Sequence, residues 1–151
     1  MEIELDGIKY TSLEEVQPHF ANATSIRVWN CPALTVINVP LCADVCIWDC
    51  PALTIINAPL AVRRDIWNCP ALTIINAPLA VSLDVWGCPA ITIIKAPQAV
   101  SLDVWDCPAL ASIDAPLAVS LDIRNCPMLT AINAPLAAGT YVRNRPNYEG
   151  D

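Results

Sequence analysis

Cysteine is the side chain with the widest chemistry in this sequence, and most of its cysteines share one spacing. Six of the eight directly precede a proline and recur every nineteen residues: Cys31, Cys50, Cys69, Cys88, Cys107 and Cys126. In stacked copies of such a repeat, equivalent side chains point in parallel, which is poor geometry for a disulfide. Because a buried thiol packs as a small apolar group, we predict that these cysteines are reduced and buried.

The two remaining cysteines, together with Cys50 of the column, form the only cluster with a spacing that suggests a metal site. Cys42, Cys46 and Cys50 are spaced C-x3-C-x3-C, but no C-x-x-C pair is present and His19 is the single histidine. Strand alternation points Cys46 outward and the other two inward. Zinc needs ligands that converge, so we expect no metal and no cofactor, and an exposed Cys46.

Two further columns repeat at the same spacing and are the candidate partner-binding residues. Each tryptophan lies one residue beyond an inward Ile or Val, so it faces outward, and an aspartate column runs beside it. The two columns are Trp29, Trp48, Trp67, Trp86 and Trp105, ended by Arg124 and Arg143, and Asp65, Asp84, Asp103 and Asp122.

Each column has a plain interpretation and a functional one. Stacked indoles stiffen a sheet, but large apolar patches rarely stay bare on a protein, so we favour a contact surface. Stacked aspartates repel one another. We expect water and the hydroxyls of Ser82, Ser101 and Ser120 to screen them, and the alternatives are a basic partner or bound cations.

No residues combine into a catalytic group. The chain shows no triad, paired acids, phosphate loop or metal cluster, so we expect no enzyme and no catalytic residue. A net charge of −7 argues against direct nucleic-acid binding, which needs a basic stripe. Prolines recur every eight to eleven residues from Pro32 to Pro146, which leaves no room for a membrane-spanning helix.

The elements that carry these columns follow from the repeat itself. An idealised coil, taken column by column, reads CPALTIINAPLAVSLDVWN, and its two prolines exclude a helix from either half. The β-branched segments TIIN and LDVW favour strands. We therefore predict an all-β chain: a parallel β-solenoid of about six to seven coils, with two short strands per coil joined at proline corners.

The inward positions of the coil resemble a known repeat family. Ala99, Leu102, Val104, Cys107 and Leu110 fit the leucine-rich-repeat pattern L-x-x-L-x-L-x-x-C-x-x-L, with alanine at its first position. Residues 23–146 resemble bacterial leucine-rich repeats with two such half-repeats per turn. The short period, the proline after each cysteine and the absence of a helix-forming segment depart from that family. The resemblance implies partner binding and no particular reaction.

The chain divides into three parts. Residues 1–22 predict an N-terminal cap, with a β-hairpin turning at Asp6-Gly7 and a short helix that begins after Ser12 and stops near Pro18. Residues 23–146 are the solenoid, and 147–151 a loose tail. Arg64 is the one anomaly, because it falls in an inward column. A buried, unpaired arginine is costly, so Arg64 either stays buried at that cost or turns outward at a local distortion, with Asp44 or Asp65 as its partner.

These observations favour a non-enzymatic protein-interaction scaffold that self-associates through an exposed Trp/Ile face. The alternatives are a glycan or small-molecule binder on the tryptophan column and an acidic inhibitor that mimics nucleic acid. Because the N-terminus lacks a basic start followed by an apolar run, it predicts no signal peptide and a cytoplasmic protein with reduced thiols.

The inward assignment is testable at one leucine. Replacing Leu102 by Ala should lower the free energy of unfolding by roughly 2–5 kcal/mol, the range for a packed core leucine. Urea denaturation measures this change. An unchanged midpoint would show that the faces of this strand are inverted.

Overall fold

The computed structural model describes residues 1–143 and confirms the predicted β-solenoid. Its coils alternate a five-residue strand with a three-residue strand, and six of the short strands are present. The position of the last repeat at Arg145-Pro146 and the predicted tail 147–151 lie outside the described residues.

The elements divide into a cap, long strands and short strands. The cap holds β1 (Glu2–Leu5), β2 (Ile8–Tyr10), α1 (Leu13–Val16) and a 3-10 helix (Gln17–Asn22). The long strands are β3 (Ser25–Trp29), β5 (Asp44–Trp48), β7 (Arg63–Trp67), β9 (Ser82–Trp86), β11 (Ser101–Trp105), β13 (Ser120–Arg124) and β15 (Gly139–Arg143). The short strands are β4 (Val36–Asn38), β6 (Ile55–Asn57), β8 (Ile74–Asn76), β10 (Ile93–Lys95), β12 (Ser112–Asp114) and β14 (Ala131–Asn133).

Strand alternation decides which side chains reach the core. In β9, Leu83 and Val85 are buried, whereas Ser82, Asp84 and Trp86 face outward. Leu102 is fully buried in the next long strand. The alanine columns are buried as well, because the interior between two sheets of a narrow coil leaves space for little more than a methyl group there.

Each long strand from β3 to β13 is followed by a residue with left-handed backbone. Such a φ suits glycine, asparagine and aspartate, and these are the residues found: Asn30, Asp49, Asn68, Gly87, Asp106 and Asn125, with φ between 50° and 63°. The buried cysteine that follows donates its S–H to the backbone two residues earlier, as Cys50 does to the carbonyl oxygen of Trp48 at 3.4 Å. The Asn/Asp/Gly column therefore makes the corner, and the S–H bond of the following cysteine closes it.

The long strands form one continuous sheet with like residues in register. The strand order is β15-β13-β11-β9-β7-β5-β3-β1-β2, parallel throughout the solenoid. β1 joins β3 antiparallel, so the hairpin extends the sheet beyond the first coil. Val16 and Phe20 bury the N-terminal end of the core. The helical segment passes the predicted stop at Pro18, because a proline is tolerated in the first turn of the 3-10 helix.

The short strands form two sheets instead of one, because the ladder breaks at Arg64. The orders are β4-β6 and β14-β12-β10-β8, so β6 and β8 are not paired. Arg64 is 1% exposed, and it donates from Nη1 to the carbonyl oxygen of Asn76 at 3.1 Å and from Nη2 to that of Ala58. In the later coils the equivalent carbonyl accepts from a backbone N–H instead, as Lys95 does from Ala77 at 2.8 Å.

The buried guanidinium therefore acts as a wedge between two coils. Of the two alternatives for Arg64, the structure shows the buried one: the side chain stays in the inward column, and among residues 1–143 it forms no ion pair with Asp44 or Asp65. Its Nε has no hydrogen-bond partner, and burial lowers its pKa to about 10. Ile56, on the strand beside the break, is only partly buried.

Removing the wedge should stabilise the protein. Arg64→Leu matches the residue found in the next three coils, and replacing a buried charge by a packed apolar side chain stabilises proteins by about 1–4 kcal/mol. We expect a higher urea midpoint and new amide-exchange protection in β6 and β8, because their ladder can then close.

The neighbouring Arg63 provides the control for this change. It is exposed on the same strand, so Arg63→Leu should leave the midpoint and the exchange pattern nearly unchanged. A lower midpoint for Arg64→Leu would mean that the two carbonyl bonds outweigh the cost of burying the charge.

Candidate interaction surface

Five tryptophans form a continuous column on the outer face of the long-strand sheet. This Trp ladder consists of Trp29, Trp48, Trp67, Trp86 and Trp105, each the last residue of its strand. In-register pairing places each indole over its equivalent, with ring centroids 5.3, 5.5, 5.7 and 6.2 Å apart. The angles between successive ring planes are 58°, 37°, 69° and 68°, so the rings do not form a flat platform.

The middle of the Trp ladder is its most accessible part. Trp67 and Trp86 are 39% and 45% exposed, whereas the other three are half-buried. Trp86 donates from Nε1 to Asp106 Oδ2 at 2.7 Å. The Nε1 atoms of Trp48 and Trp105 are buried without a partner. The outward orientation predicted from strand alternation is therefore what the structure shows.

A second column of four carboxylates runs beside the indoles. This Asp ladder consists of Asp65, Asp84, Asp103 and Asp122, all half-buried and in register. Burial and the adjacent charges of Asp65 and Asp103 raise the pKa of Asp84 to about 6, against an opposing effect of Arg63. Burial and then Asp122 raise the pKa of Asp103. The ladder therefore carries repulsion into the folded state.

The expected serine screening is not what the structure shows. Among residues 1–143, no hydrogen bond joins the hydroxyls of Ser82, Ser101 or Ser120 to the Asp ladder. Asp65 instead accepts from Cys46 Sγ at 3.5 Å. Cys46 is half-buried, contrary to the expected exposure, and burial followed by the charge of Asp65 raises its pKa to about 11.

The C-terminal end of the two ladders shows how a cation fits them. Arg124 continues the tryptophan column and donates to Asp122 from Nε at 2.9 Å and from Nη2 at 2.6 Å. Its Cζ lies 4.3 Å from the centroid of the Trp105 ring. One guanidinium therefore makes a bidentate carboxylate pair and a cation–π contact together.

Two depressions follow the Trp ladder, one on either side. The first separates the indoles from the Asp ladder, and the second lies between the indoles and the left-handed corners. The first is lined by Trp67, Asp84, Val85, Trp86, Asp103 and Trp105. The second is lined by Trp48, Asp49, Trp67, Asn68, Trp86 and Gly87. Both are centred on the exposed indoles, so a bound group there would touch aromatic and polar atoms together.

Sequence reasoning missed a second apolar surface. The residues that follow the second proline of each coil form a ridge at the start of the long strands, each 43–55% exposed: Leu41, Leu60, Leu79, Leu117, Leu136, Val62, Val81, Val100 and Val119. The signal was present, since these residues recur every nineteen positions outside the inward columns. Val36, Ile55 and Ile74 form the exposed apolar patch on the short-strand face.

The seven inward cysteines, Cys42 and the six of the Cys-Pro column, are fully buried, as predicted. Cys42 is fully buried, and burial raises its pKa to about 11. Within residues 1–143, no three metal-ligating side chains lie together. In the same range, no helix is long and apolar enough to cross a membrane.

Comparison with known proteins gives this chain no relatives. No protein family, no curated protein and no solved structure matches it. The parallel β-solenoid is therefore established from its own structure, and the leucine-rich-repeat resemblance stays a prediction.

Because the pKa of Asp84 is raised in the folded protein, we predict that the free energy of unfolding depends on pH. The folded-state pKa of Asp84 lies near 6, above its ordinary 3.8, so the stability tied to its proton is present below pH 4 and lost as the pH rises through 6. Asp84→Asn should therefore raise the free energy of unfolding at neutral pH by about 1–2 kcal/mol, after allowance for solvent screening, and change little at pH 4. Urea denaturation at both pH values measures the difference.

Asp44→Asn is the matched control, because Asp44 is exposed at the start of β5. It should have no comparable effect at either pH. A loss of stability in Asp84→Asn at neutral pH would contradict the repulsion inferred for the ladder.

Proposed function

We propose that this chain is a non-enzymatic protein-interaction scaffold that binds its partner, a second copy included, on the Trp ladder. The observation that carries the proposal is the exposure of Trp67 and Trp86 at the centre of a rigid, continuous sheet. Tryptophan is enriched among residues that dominate binding energy, and those residues concentrate at the centre of an interface. The half-buried indoles on either side extend the apolar contact area.

The tilt of the rings supports a protein partner over a glycan. A sugar stacks on an aromatic face, and a row of sugars needs rings that lie flat along the surface. Successive indoles here are inclined by 37° to 69°. Side chains of a protein partner can pack on the exposed edges and faces of inclined rings, which favours them as the occupants.

The arrangement of charge supports neither an acidic nucleic-acid mimic nor an enzyme. A mimic needs carboxylates as its outermost groups, whereas the half-buried Asp ladder lies beside the more exposed Trp67 and Trp86. Among the described residues, no hydrogen bond joins Asp84 or Asp103 to a histidine, cysteine or serine side chain. We therefore assign the chain no reaction and no cofactor.

Self-association, a cytoplasmic location and leucine-rich-repeat ancestry belong to the same proposal. Two other apolar surfaces, the Leu/Val ridge and the Val36, Ile55 and Ile74 patch, lie outside the proposed contact. Buried thiols that donate to backbone carbonyls, such as Cys50 and Cys69, suit a reducing compartment.

Truncation of the central indole tests the contact surface. Trp86→Ala should weaken self-association by at least about tenfold, as expected for a hot-spot residue, because it empties the centre of the ladder. Sedimentation equilibrium over a range of protein concentrations gives the association constant, and urea denaturation checks that the fold is intact.

Val81→Ala on the Leu/Val ridge is the matched control, since Val81 and Trp86 are 44% and 45% exposed. It should leave the association constant nearly unchanged. If Val81→Ala abolishes association and Trp86→Ala does not, the ridge is the contact surface. A wild-type monomer at high micromolar concentration would restrict the proposal to a different protein as partner.

A further inference from the structure

The chain contains one worked example of a cation bound by its two ladders. Arg124 lies where the tryptophan column ends, with its guanidinium on the Trp105 ring and its two donors on Asp122. The contact is made by residues of consecutive coils, β11 and β13. Arg124 stands where a sixth tryptophan would stand, so it shows that one guanidinium can hold a carboxylate of the Asp ladder and the face of an indole together, whereas a guanidinium from another protein would enter beside the indoles.

The coils before it present the same two chemistries, and neither Arg63 nor Arg124, whose charges act on Asp84 and Asp103, forms an ion pair with them. The depression beside Trp67, Trp86 and Trp105 is bounded on its other side by Asp84 and Asp103. Among the described residues, no ion pair involves either carboxylate. The charge of this surface is negative and its walls are aromatic, which is the complement of a delocalised planar cation.

We propose that this depression binds the guanidinium group of an arginine side chain from a partner protein. The inference rests on the proposed function, because it names the chemistry of the partner that the Trp ladder would bind. Arginine fits this depression better than lysine. Its planar fork can contact two carboxylate oxygens while its face lies on an indole, as Arg124 does. The ammonium group of lysine is a compact, strongly hydrated charge. Repulsion along the Asp ladder is relieved when such a cation enters.

The distance between coils sets the spacing at which two arginines of one peptide can reach two carboxylates of the Asp ladder. Neighbouring parallel strands lie about 4.8 Å apart, so every second coil is displaced by about 9.6 Å. A polyproline II segment with arginine at every third position advances about 9.3 Å between arginines on one side of the peptide. A peptide of two Arg-Pro-Pro repeats therefore matches alternate coils, such as those of Asp65 and Asp103, and is a suitable probe.

Binding of that peptide tests the inference. Isothermal titration calorimetry at neutral pH and low salt should show saturable binding, and a Lys-Pro-Pro peptide of the same length should bind at least about threefold more weakly, since it lacks the bidentate fork. A citrulline-Pro-Pro peptide keeps the shape without the charge and should not bind. Equal affinity for the lysine peptide, or binding of the citrulline peptide, overturns the assignment to guanidinium.

Substitutions locate the site. Asp103→Asn should weaken the arginine peptide by at least about fivefold, as expected when one charge-assisted contact is lost. The exposed Asp44→Asn should leave its affinity unchanged. Equal loss in both variants means that the peptide reads net charge alone, which contradicts a built site.

A monovalent probe removes any dependence on peptide spacing. N-acetyl-arginine amide should shift the indole N–H resonance of Trp86 in a nitrogen-15 NMR titration, and Asp103→Asn should reduce that shift. Absence of a shift at tens of millimolar probe overturns the inference. Self-association that depends on Trp86 would then still stand, so failure of this inference and failure of the proposed function are distinguished.

Discussion

Stacking of like upon like is the constraint on which the rest of this structure depends. A nineteen-residue coil in parallel register places every side chain beside its own equivalent, as Trp48 beside Trp67 and Asp84 beside Asp103. Whatever one residue contributes is then repeated along the stack. Apolar columns gain from this repetition and fill the core, whereas a column of charges accumulates repulsion. The position of each charge in the coil is therefore decisive.

In two columns the chain avoids repulsion between stacked aspartates by placing an asparagine next to each aspartate, and in a third column, the Asp ladder, the repulsion remains. At the left-handed corners, Asn68 donates to Asp49 at 2.6 Å and Asn125 donates to Asp106 at 2.7 Å. At the last residues of the short strands β12 and β14, Asn133 donates to Asp114 at 2.7 Å. An amide next to a carboxylate converts repulsion into a hydrogen bond. The Asp ladder uses no such amide, and features that lower stability concentrate where a protein functions.

Periodic columns were predictable from the sequence because the repeat supplies many copies of the same evidence. The strands, the buried Cys and Leu columns and the outward Trp ladder all follow from strand alternation applied to one coil. The left-handed corners could have been found too, since their column holds only Asn, Asp and Gly. The tilt of the indoles and the half-burial of Cys46 could not, because they depend on how unlike side chains pack across neighbouring coils. The Arg64 wedge has one copy, so no periodicity describes it.

The long-strand sheet continues past the defect that Arg64 makes in the core. At the break between β6 and β8 the short-strand ladder is lost, but β5, β7 and β9 remain paired in the long-strand sheet. In a solenoid each coil is held only by its neighbours, so the missing ladder makes this the weakest junction in the described stack. Asp84, Asp103, Asp122, Trp86 and Trp105 lie on its C-terminal side, whereas Asp65 and Trp67 belong to β7, between the two strands that fail to pair. Local opening at the junction therefore leaves the carboxylates of the depression, Asp84 and Asp103, on one intact group of coils.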